Sequence, residues 1–375
     1  MAIGVIGCGR RMKKVLNWLL EVNSNHMIAS VYDTNEKAME DYKREFGEHI
    51  KICESYQEVT SDPSVDWIFI GSINKFHKEQ IISAFNSGKN VFSEKPLAIS
   101  IDECKEIKNA YCSRNLKFLI SYPLRYSPHY QKIKEIIDKG KIGSIVSIEF
   151  NDTLPFNHGA FIMSDWRRYE DLSGGHFLEK CCHDIDIVNW ITNSVVRKVC
   201  SFGGLNFFTE ENDSLIEELD AEKKDFKRNL TWSSDPFISE KDIIDNQVVI
   251  LEYGNGVRAT FHTNCSTGIP ERRIYICGTK GTIRADALNG KIECKGIKPS
   301  DEYINIISGK FDGSHGGGDL PLAREIDRAI IQNEFQGNSF DDALKSAATS
   351  IAIDISRKEN KILDLTSIWN DLDIH

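Results

Sequence analysis

The chain opens on Ala2-Ile3-Gly4-Val5-Ile6 and runs directly into Gly7-Cys8-Gly9-Arg10-Arg11-Met12. A short apolar strand, two glycines one residue apart and then an amphipathic stretch constrain the fold more than any other feature. Met12, Leu16, Leu19 and Leu20 recur at helical spacing on one side of the stretch Met12–Val22. Gly7 suits a tight turn, and Gly9 lets the backbone approach a ligand closely. The helix beyond offers unpaired N–H groups and the positive end of its dipole, a combination that binds phosphate. A third glycine usually follows and permits close helix–strand packing. Met12 stands in that place.

The same texture continues for about 120 residues. Apolar strands at Ile3–Ile6, Met27–Tyr32, Trp67–Ile70, Asn90–Ser93 and Phe118–Ser121 alternate with helical segments at Glu36–Phe46, His77–Ser87 and Ile101–Tyr111. Strands alternating with helices call for a parallel sheet covered on both faces. Beyond Pro123, longer segments alternate apolar and polar residues: Ser144–Asn151, Gln247–Tyr253, Arg258–Asn264, Arg272–Cys277 and Thr282–Asp286. That period suits an antiparallel sheet with one packed face. A strong helix is expected at His176–Ile191 and a last one at Phe340–Arg357. The fold class expected is α/β: a Rossmann dinucleotide-binding domain over 1–121, then a C-terminal α+β domain over 122–375 with a large, open, mainly antiparallel sheet. A polar insertion is expected at about 204–244. Within it, Thr209–Arg228 holds eight acidic against four basic residues, the pattern of a solvated face or loop.

Composition removes several classes of function. Lys plus Arg is 46 and Asp plus Glu is 56, a net charge of −10. Non-specific nucleic-acid binding draws on cationic side chains, so no nucleic-acid partner is expected. No apolar run approaches the roughly 18 residues that cross a bilayer. The N-terminus is a strand rather than a basic segment followed by a long apolar one. No membrane partner and a cytoplasmic location are therefore expected. The ten cysteines form no C-x-x-C pair, and several, such as Cys112, Cys200 and Cys277, sit in apolar runs. Reduced, buried thiols are the expectation.

Other residues add chemistry to the glycine turn. Asp33 ends the second strand, at the separation where an acidic residue takes ribose hydroxyls. A carboxylate there repels a 2′-phosphate, which favours NAD over NADP, although Arg10 and Arg11 can each reach a phosphate. The competing role for Asp33 is an N-cap on the next helix. Gly71-Ser72-Ile73-Asn74-Lys75-Phe76-His77 follows another strand at the carboxyl edge of the sheet, where ligands of such sheets bind. Asn74 can also cap the helix that follows. Ser93-Glu94-Lys95-Pro96 occupies the same edge. Lys95 can touch a bound nicotinamide and a substrate hydroxyl together, and a nearby cationic ring would lower its pKa. A surface Glu94–Lys95 pair is the alternative. Farther on, Glu179, His183 and Asp186 fall at i, i+4 and i+7, one face of an α-helix that Trp190 continues. A histidine held by a carboxylate is the usual build of a general base; a satisfied core histidine is the alternative. Cys181, Cys182 and His183 do not make a metal site, because adjacent cysteines do not readily point at one ion and no second ligand cluster has zinc-like spacing.

Taken together these motifs resemble the Gfo/Idh/MocA family, that of glucose–fructose oxidoreductase and inositol dehydrogenase. The resemblance rests on the strand with Gly7-x-Gly9, Asp33, Asn74-x-x-His77, Glu94-Lys95-Pro96, Leu124-Arg125-Tyr126, Trp166-Arg167, Gly174-Gly175 and Glu179-x-x-x-His183-x-x-Asp186. It covers nearly the whole chain. It implies an N-terminal domain that binds NAD(P) through Gly7, Gly9, Arg10, Arg11, Met12, Asp33, Gly71, Ser72, Asn74, His77, Glu94 and Lys95, with Trp166 of the second domain also meeting the cofactor. It implies catalysis by Lys95, His183 and Glu179, and a sugar or cyclitol substrate held by Lys95, Arg125, Arg167, His183 and Asp186. It also implies a homodimer or homotetramer built on the open sheet. One departure stands out: the family commonly has Asp where this chain has Glu179, and Lys180 adds an amine beside it.

The activity expected is hydride transfer between nicotinamide and a secondary hydroxyl of a sugar, cyclitol or nucleotide-linked sugar. Two other readings stay open. One is an NAD-dependent glycosidase that works by transient oxidation and elimination. The other is a non-catalytic NAD-bound sensor.

Overall fold

The computed structural model describes residues 1–216, 218, 234–308, 314–332 and 339–374. They form two compact units. The first comprises Met1–Ser127, Asp312–Ala348 and Ile368–His375; the second comprises Pro128–Phe311 and Thr349–Ser367. The C-terminal segments 312–348 and 368–375, which fall within the sequence-derived span 122–375, thus pack with the first unit.

The first unit is built on six parallel strands: β1 (Ala2–Ile6), β2 (Met27–Tyr32), β3 (Lys51–Ile52), β4 (Trp67–Ile70), β5 (Asn90–Ser93) and β6 (Phe118–Ile120). Their spatial order is β3-β2-β1-β4-β5-β6, the doubly wound arrangement. The order reverses at β1, so a crevice opens beyond the carboxyl ends of β1 and β4. Strand β4 is buried at every position, as a sheet covered on both faces requires. Helix α1 (Arg10–Val22) buries Met12, Val15, Leu16 and Leu19. They join Val5, Phe69, Phe92 and Leu119 in one core with Leu322, Ile326 and Ala329 of the helix Asp319–Ile331. Phe340 stacks on Tyr111 with centroids 4.2 Å apart.

The second unit carries nine strands: β7 (Ile145–Pro155), β8 (Val196–Gly204), β9 (Asn246–Tyr253), β10 (Arg258–Thr267), β11 (Arg273–Gly278), β12 (Gly281–Asp286), β13 (Lys291–Gly296), β14 (Tyr303–Ile307) and β15 (Leu363–Asp364). Their order is β14-β13-β12-β11-β7-β10-β9-β8-β15. The β7–β10 pair is parallel and the other pairings are antiparallel. The expected α/β fold, with a mainly antiparallel second sheet, is what forms. Burial alternates along β9, with Val249 and Leu251 inside and Val248 and Ile250 outside.

Two local expectations change and a third is met in part. The helix anticipated at His176–Ile191 begins as a π-helical turn over Phe177–Cys181 and becomes α-helical only at Cys182–Thr192. Of the polar stretch Thr209–Arg228, residue 217 and residues 219–228 lie outside the described residues. Its described residues Glu210, Glu211, Asp213 and Ser214 are exposed, as expected, whereas Phe208 and Phe237 on either side of it are fully enclosed beside Ile162, Met163 and Cys265. The backbone N–H groups of Phe207 and Phe208 donate to Asp245 Oδ2 at 2.7 and 2.9 Å. The cysteines are all unbridged, but Cys112 is exposed and Cys200 and Cys277 are half-buried. An apolar run does not say which face of a strand or helix a given side chain takes. Among the described residues, no helix is long and apolar enough to cross a membrane.

Candidate active site

In the first unit the site begins where β1 ends. Gly7 has φ +90°, and its N–H donates to Tyr32 O at 2.8 Å. A Cβ on Gly7 would stand 2.3 Å from Ser72 N, so no other residue fits. Gly9 is different. Its φ is −76°, and the nearest atom to a Cβ there is Gly71 O at 4.0 Å. Among the described residues nothing demands glycine at position 9; a ligand pressed against the backbone would. Helix α1 then starts on Gly9 with no side-chain cap and no acidic residue in its first turn. Its leading N–H groups remain for an anion. The residues present therefore fit a dinucleotide pyrophosphate.

The missing third glycine is explained here as well. Met12 is wholly buried, and a Cβ on Gly71 would meet Met12 Cβ at 2.9 Å. The close approach usually made by a glycine in α1 is made by Gly71 after β4.

Asp33 is half-buried at the end of β2. Its Oδ2 accepts from Cys8 N at 2.6 Å and its Oδ1 from Asn35 N at 2.8 Å. The N-cap of the next helix is Asn35, whose side chain accepts from Ala38 N. Asp33 thus ties the glycine turn, through Cys8 N, to the residue that caps the next helix, Asn35, and is not itself that cap. Tyr42 Oη braces the turn from beneath through Gly9 O at 2.9 Å.

Arg10 is exposed. Arg11 turns inward: Nε donates to Glu94 Oε1 at 2.9 Å, Nη1 to Asp319 Oδ1 at 2.7 Å and Nη2 to Ser121 Oγ at 3.2 Å. Its guanidinium joins the carboxyl-edge segments after β5 and β6 to the helix after β1. Lys95 lies between two anchored neighbours. Glu94 is held by Arg11, and Pro96 O faces His77 Nδ1 at 2.7 Å. His77 Nε2 lies 3.2 Å from Ser72 O. The ring is fully enclosed, and burial pushes its pKa down against the pull of the two carbonyls. His77 therefore braces the Ser72 loop against the lysine loop. Ser72 Oγ donates to Gln80 Oε1 at 2.7 Å, and Asn74 is buried where the chain turns into the helix His77–Asn86. Arg125 is buried and pairs with Asp342 at 3.2 Å.

In the second unit, Trp166 and Arg167 form a 3-10 turn. The Arg167 guanidinium carbon lies 4.4 Å from the Trp166 ring centroid and 4.8 Å from that of Phe161. Arg167 Nε donates to Glu179 Oε1 at 3.1 Å and Nη1 to Asp165 Oδ1 at 3.2 Å. The expected i, i+4 pairing of Glu179 with His183 assumed α-helical spacing. The interval crosses from the π turn into the α-helix, so that spacing does not carry over. His183, Asp186 and Trp190 lie wholly within the α-helix and keep the i, i+3, i+7 relation. His183 and Asp186 are buried.

Beneath them lies a set of charges that no sequence motif announced. Arg272 makes two hydrogen bonds to Asp184, at 2.8 and 2.7 Å, and lies 3.7 Å from Asp152. Lys180 Nζ stands 3.3 Å from Asp152 Oδ2. Burial, opposed by Arg272, lifts Asp184 to about 6, and Asp152 adds to the rise.

A switch-point crevice over an uncapped helix end, an acidic residue tied to the glycine turn and an anchored lysine on the same edge define a dinucleotide-dependent dehydrogenase. The model of the oxidoreductase family with an NAD-binding Rossmann fold matches residues 1–122, and the model of the GFO/IDH/MocA C-terminal domain matches residues 130–284. The chain belongs to the Gfo/Idh/MocA family and is an NAD(P)-dependent oxidoreductase. YteT of Bacillus subtilis strain 168 is 24% identical over 86% of this chain and 88% of that protein. The myo-inositol 2-dehydrogenase of Thermotoga maritima is 24% identical over 76% of this chain and 75% of its own length. The structure of levoglucosan dehydrogenase in complex with NADH matches 97% of this chain and 98% of that one, with a TM-score of 0.80 at 17% identity. At that identity the likeness is one of fold.

Proposed function

We propose that the protein oxidises a secondary hydroxyl of a sugar, cyclitol or nucleotide-linked sugar, with NAD as hydride acceptor. The observation that carries this reading is the anchoring of Lys95 on both flanks, Glu94 by Arg11 and Pro96 by His77, at the edge where the glycine turn admits a dinucleotide. Relatives named for inositol and structural neighbours named for a sugar support the substrate class.

When bound, the nicotinamide supplies the hydride acceptor. Gly7, Gly9 and the first turn of α1 hold the pyrophosphate, and Asp33 takes the ribose hydroxyls. Arg10, Met12, Gly71, Ser72, Asn74 and Trp166 border the cofactor, and Arg11, His77 and Glu94 keep its loops in place. Lys95 hydrogen-bonds the substrate oxygen through its ammonium, and His183 takes the hydroxyl proton on a ring nitrogen. Arg125, Arg167 and Asp186 hold further substrate oxygens, and Glu179 orients Arg167. The first unit, 1–127 with 312–348 and 368–375, serves as the cofactor domain, and the second, 128–311 with 349–367, as the substrate and oligomerisation domain. The exposed side chains Phe202, Val248 and Ile250 on neighbouring strands give the open sheet an apolar stripe suited to a homodimer or homotetramer, which the mass in solution tests.

The reading is tested by screening sugars and cyclitols for NADH formation at 340 nm. Net NADH with at least one such substrate supports it. Release of an aglycone from a glycoside without net NADH would replace it with the elimination reaction.

A further inference from the structure

The segment Ser314–Asp319 reads Ser-His-Gly-Gly-Gly-Asp and leads into the helix Asp319–Ile331 of the first unit. His315, Gly316 and Gly317 are all left-handed, with φ of 58°, 59° and 81°. A histidine in that region is uncommon, and such outliers gather at functional sites. Gly318 presses the segment onto the turn Pro123–Tyr126, since a Cβ there would lie 1.9 Å from Pro123 O. The segment is therefore fixed in place, with one imidazole standing among glycines.

That imidazole is part of a chain of contacts. His315 Nδ1 lies 3.1 and 3.2 Å from the two oxygens of Asp319. Asp319 is buried and accepts from Arg11 Nη1 at 2.7 Å. Arg11 Nε donates to Glu94 Oε1 at 2.9 Å, and Glu94 is bonded to Lys95. One guanidinium thus serves two carboxylates. Its hold on Glu94 depends on where Asp319 stands. A ring N–H shared by both Asp319 oxygens fixes the plane of that carboxylate. Burial lowers the His315 pKa against the pull of Asp319.

We propose that His315 is a positioning residue: by orienting Asp319 it fixes Arg11 on Glu94 and so sets the place of Lys95. The inference rests on the reading of Lys95 as the lysine that meets substrate.

Two variants separate this role from a purely structural one. His315→Gly removes the donor and suits a left-handed backbone, so the chain folds. His315→Asn tolerates the same backbone and restores an N–H donor. The full-length protein is labelled by reductive methylation, and the rate at Lys95 is read by mass spectrometry relative to exposed Lys37, with and without NADH; kcat and KM are measured in parallel. His315→Gly is expected to change the Lys95 labelling rate about 3-fold or more and lower kcat about 10-fold, with KM for NAD within about 2-fold. His315→Asn is expected to bring both back to within about 2-fold of the unsubstituted protein. Wild-type labelling at Lys95 in His315→Gly, or no recovery in His315→Asn, overturns the proposal. If the unsubstituted protein oxidises no sugar or cyclitol, the functional reading fails, and the labelling alone decides the role of His315.

Discussion

Arg11 Nε meets Glu94 Oε1 at 2.9 Å, joining the first helical turn after the glycines to the residue that precedes Lys95. The bond links two ligand-edge loops 83 positions apart in the chain.

Removing this guanidinium leaves Glu94 and Asp319 facing each other's charge from buried positions. Breaking a buried pair from one side costs about 3–5 kcal/mol, and the partial exposure of Arg11 brings the figure nearer 2–3. Arg11→Met is expected to lose about 2–3 kcal/mol of stability in urea unfolding. Arg11→Lys is expected to recover little, because an ammonium does not span three partners in one plane. Full recovery with lysine would contradict the geometry.

The proposed function gives Asp33 the choice between cofactors. Its carboxylate accepts from Cys8 N at 2.6 Å, at the end of the second strand. Asp33→Ala is expected to weaken NADH binding about 10- to 100-fold and to narrow the preference over NADPH, as loss of charge-assisted hydrogen bonds requires. Fluorescence titration with both cofactors measures this. An unchanged ratio would remove Asp33 from the ribose site.

The first unit was the more legible part of the chain. Strand, glycine turn and helix are local patterns, and their period is carried by neighbouring residues such as Ile3, Val5, Leu16 and Leu19. What lay hidden was compensation at a distance. Met12 fills the place of a glycine because Gly71, far along the chain, gives way to it. In the second unit, Glu179 and His183 were read at α-helical spacing, and nothing local announces the π turn between them. Asp152, Lys180, Asp184 and Arg272 come together from three separate segments, without a periodic signal. His315 and Asp319 had a local sign, a glycine run closing on an acid at a helix start, but its partner Arg11 lies at the other end of the chain.

Glu179 accepts a hydrogen bond from Arg167 Nε, whose guanidinium carbon lies 4.4 Å from the Trp166 ring centroid and 4.8 Å from that of Phe161. Glu179→Ala is expected to raise KM for the hydroxyl substrate about 10-fold while NADH affinity stays within about 2-fold. A loss confined to kcat would instead place Glu179 on the proton-transfer residue His183.

His176 makes the second unit sensitive to acid. It is fully buried, with Nε2 3.3 Å from Thr263 Oγ1, and burial pushes its pKa down to about 4. The unfolded chain takes the proton near 6.5, whereas the folded chain does not until near 4. Stability from this group is thus present above pH 6.5 and is lost as the pH falls toward 4. Between pH 7 and pH 5 the loss is about 2 kcal/mol. Urea unfolding at the two pH values is expected to show a drop smaller by about that amount in His176→Asn. Equal drops in both proteins would contradict the assignment.

In the proposed reaction Lys95 and His183 handle the proton. Steady-state turnover of Lys95→Ala and His183→Ala, measured as NADH formation with NADH binding titrated beside it, tests this most directly. Each variant is expected to lose about 10²- to 10⁴-fold in kcat with cofactor affinity retained. Turnover at the unsubstituted rate in either variant would contradict it.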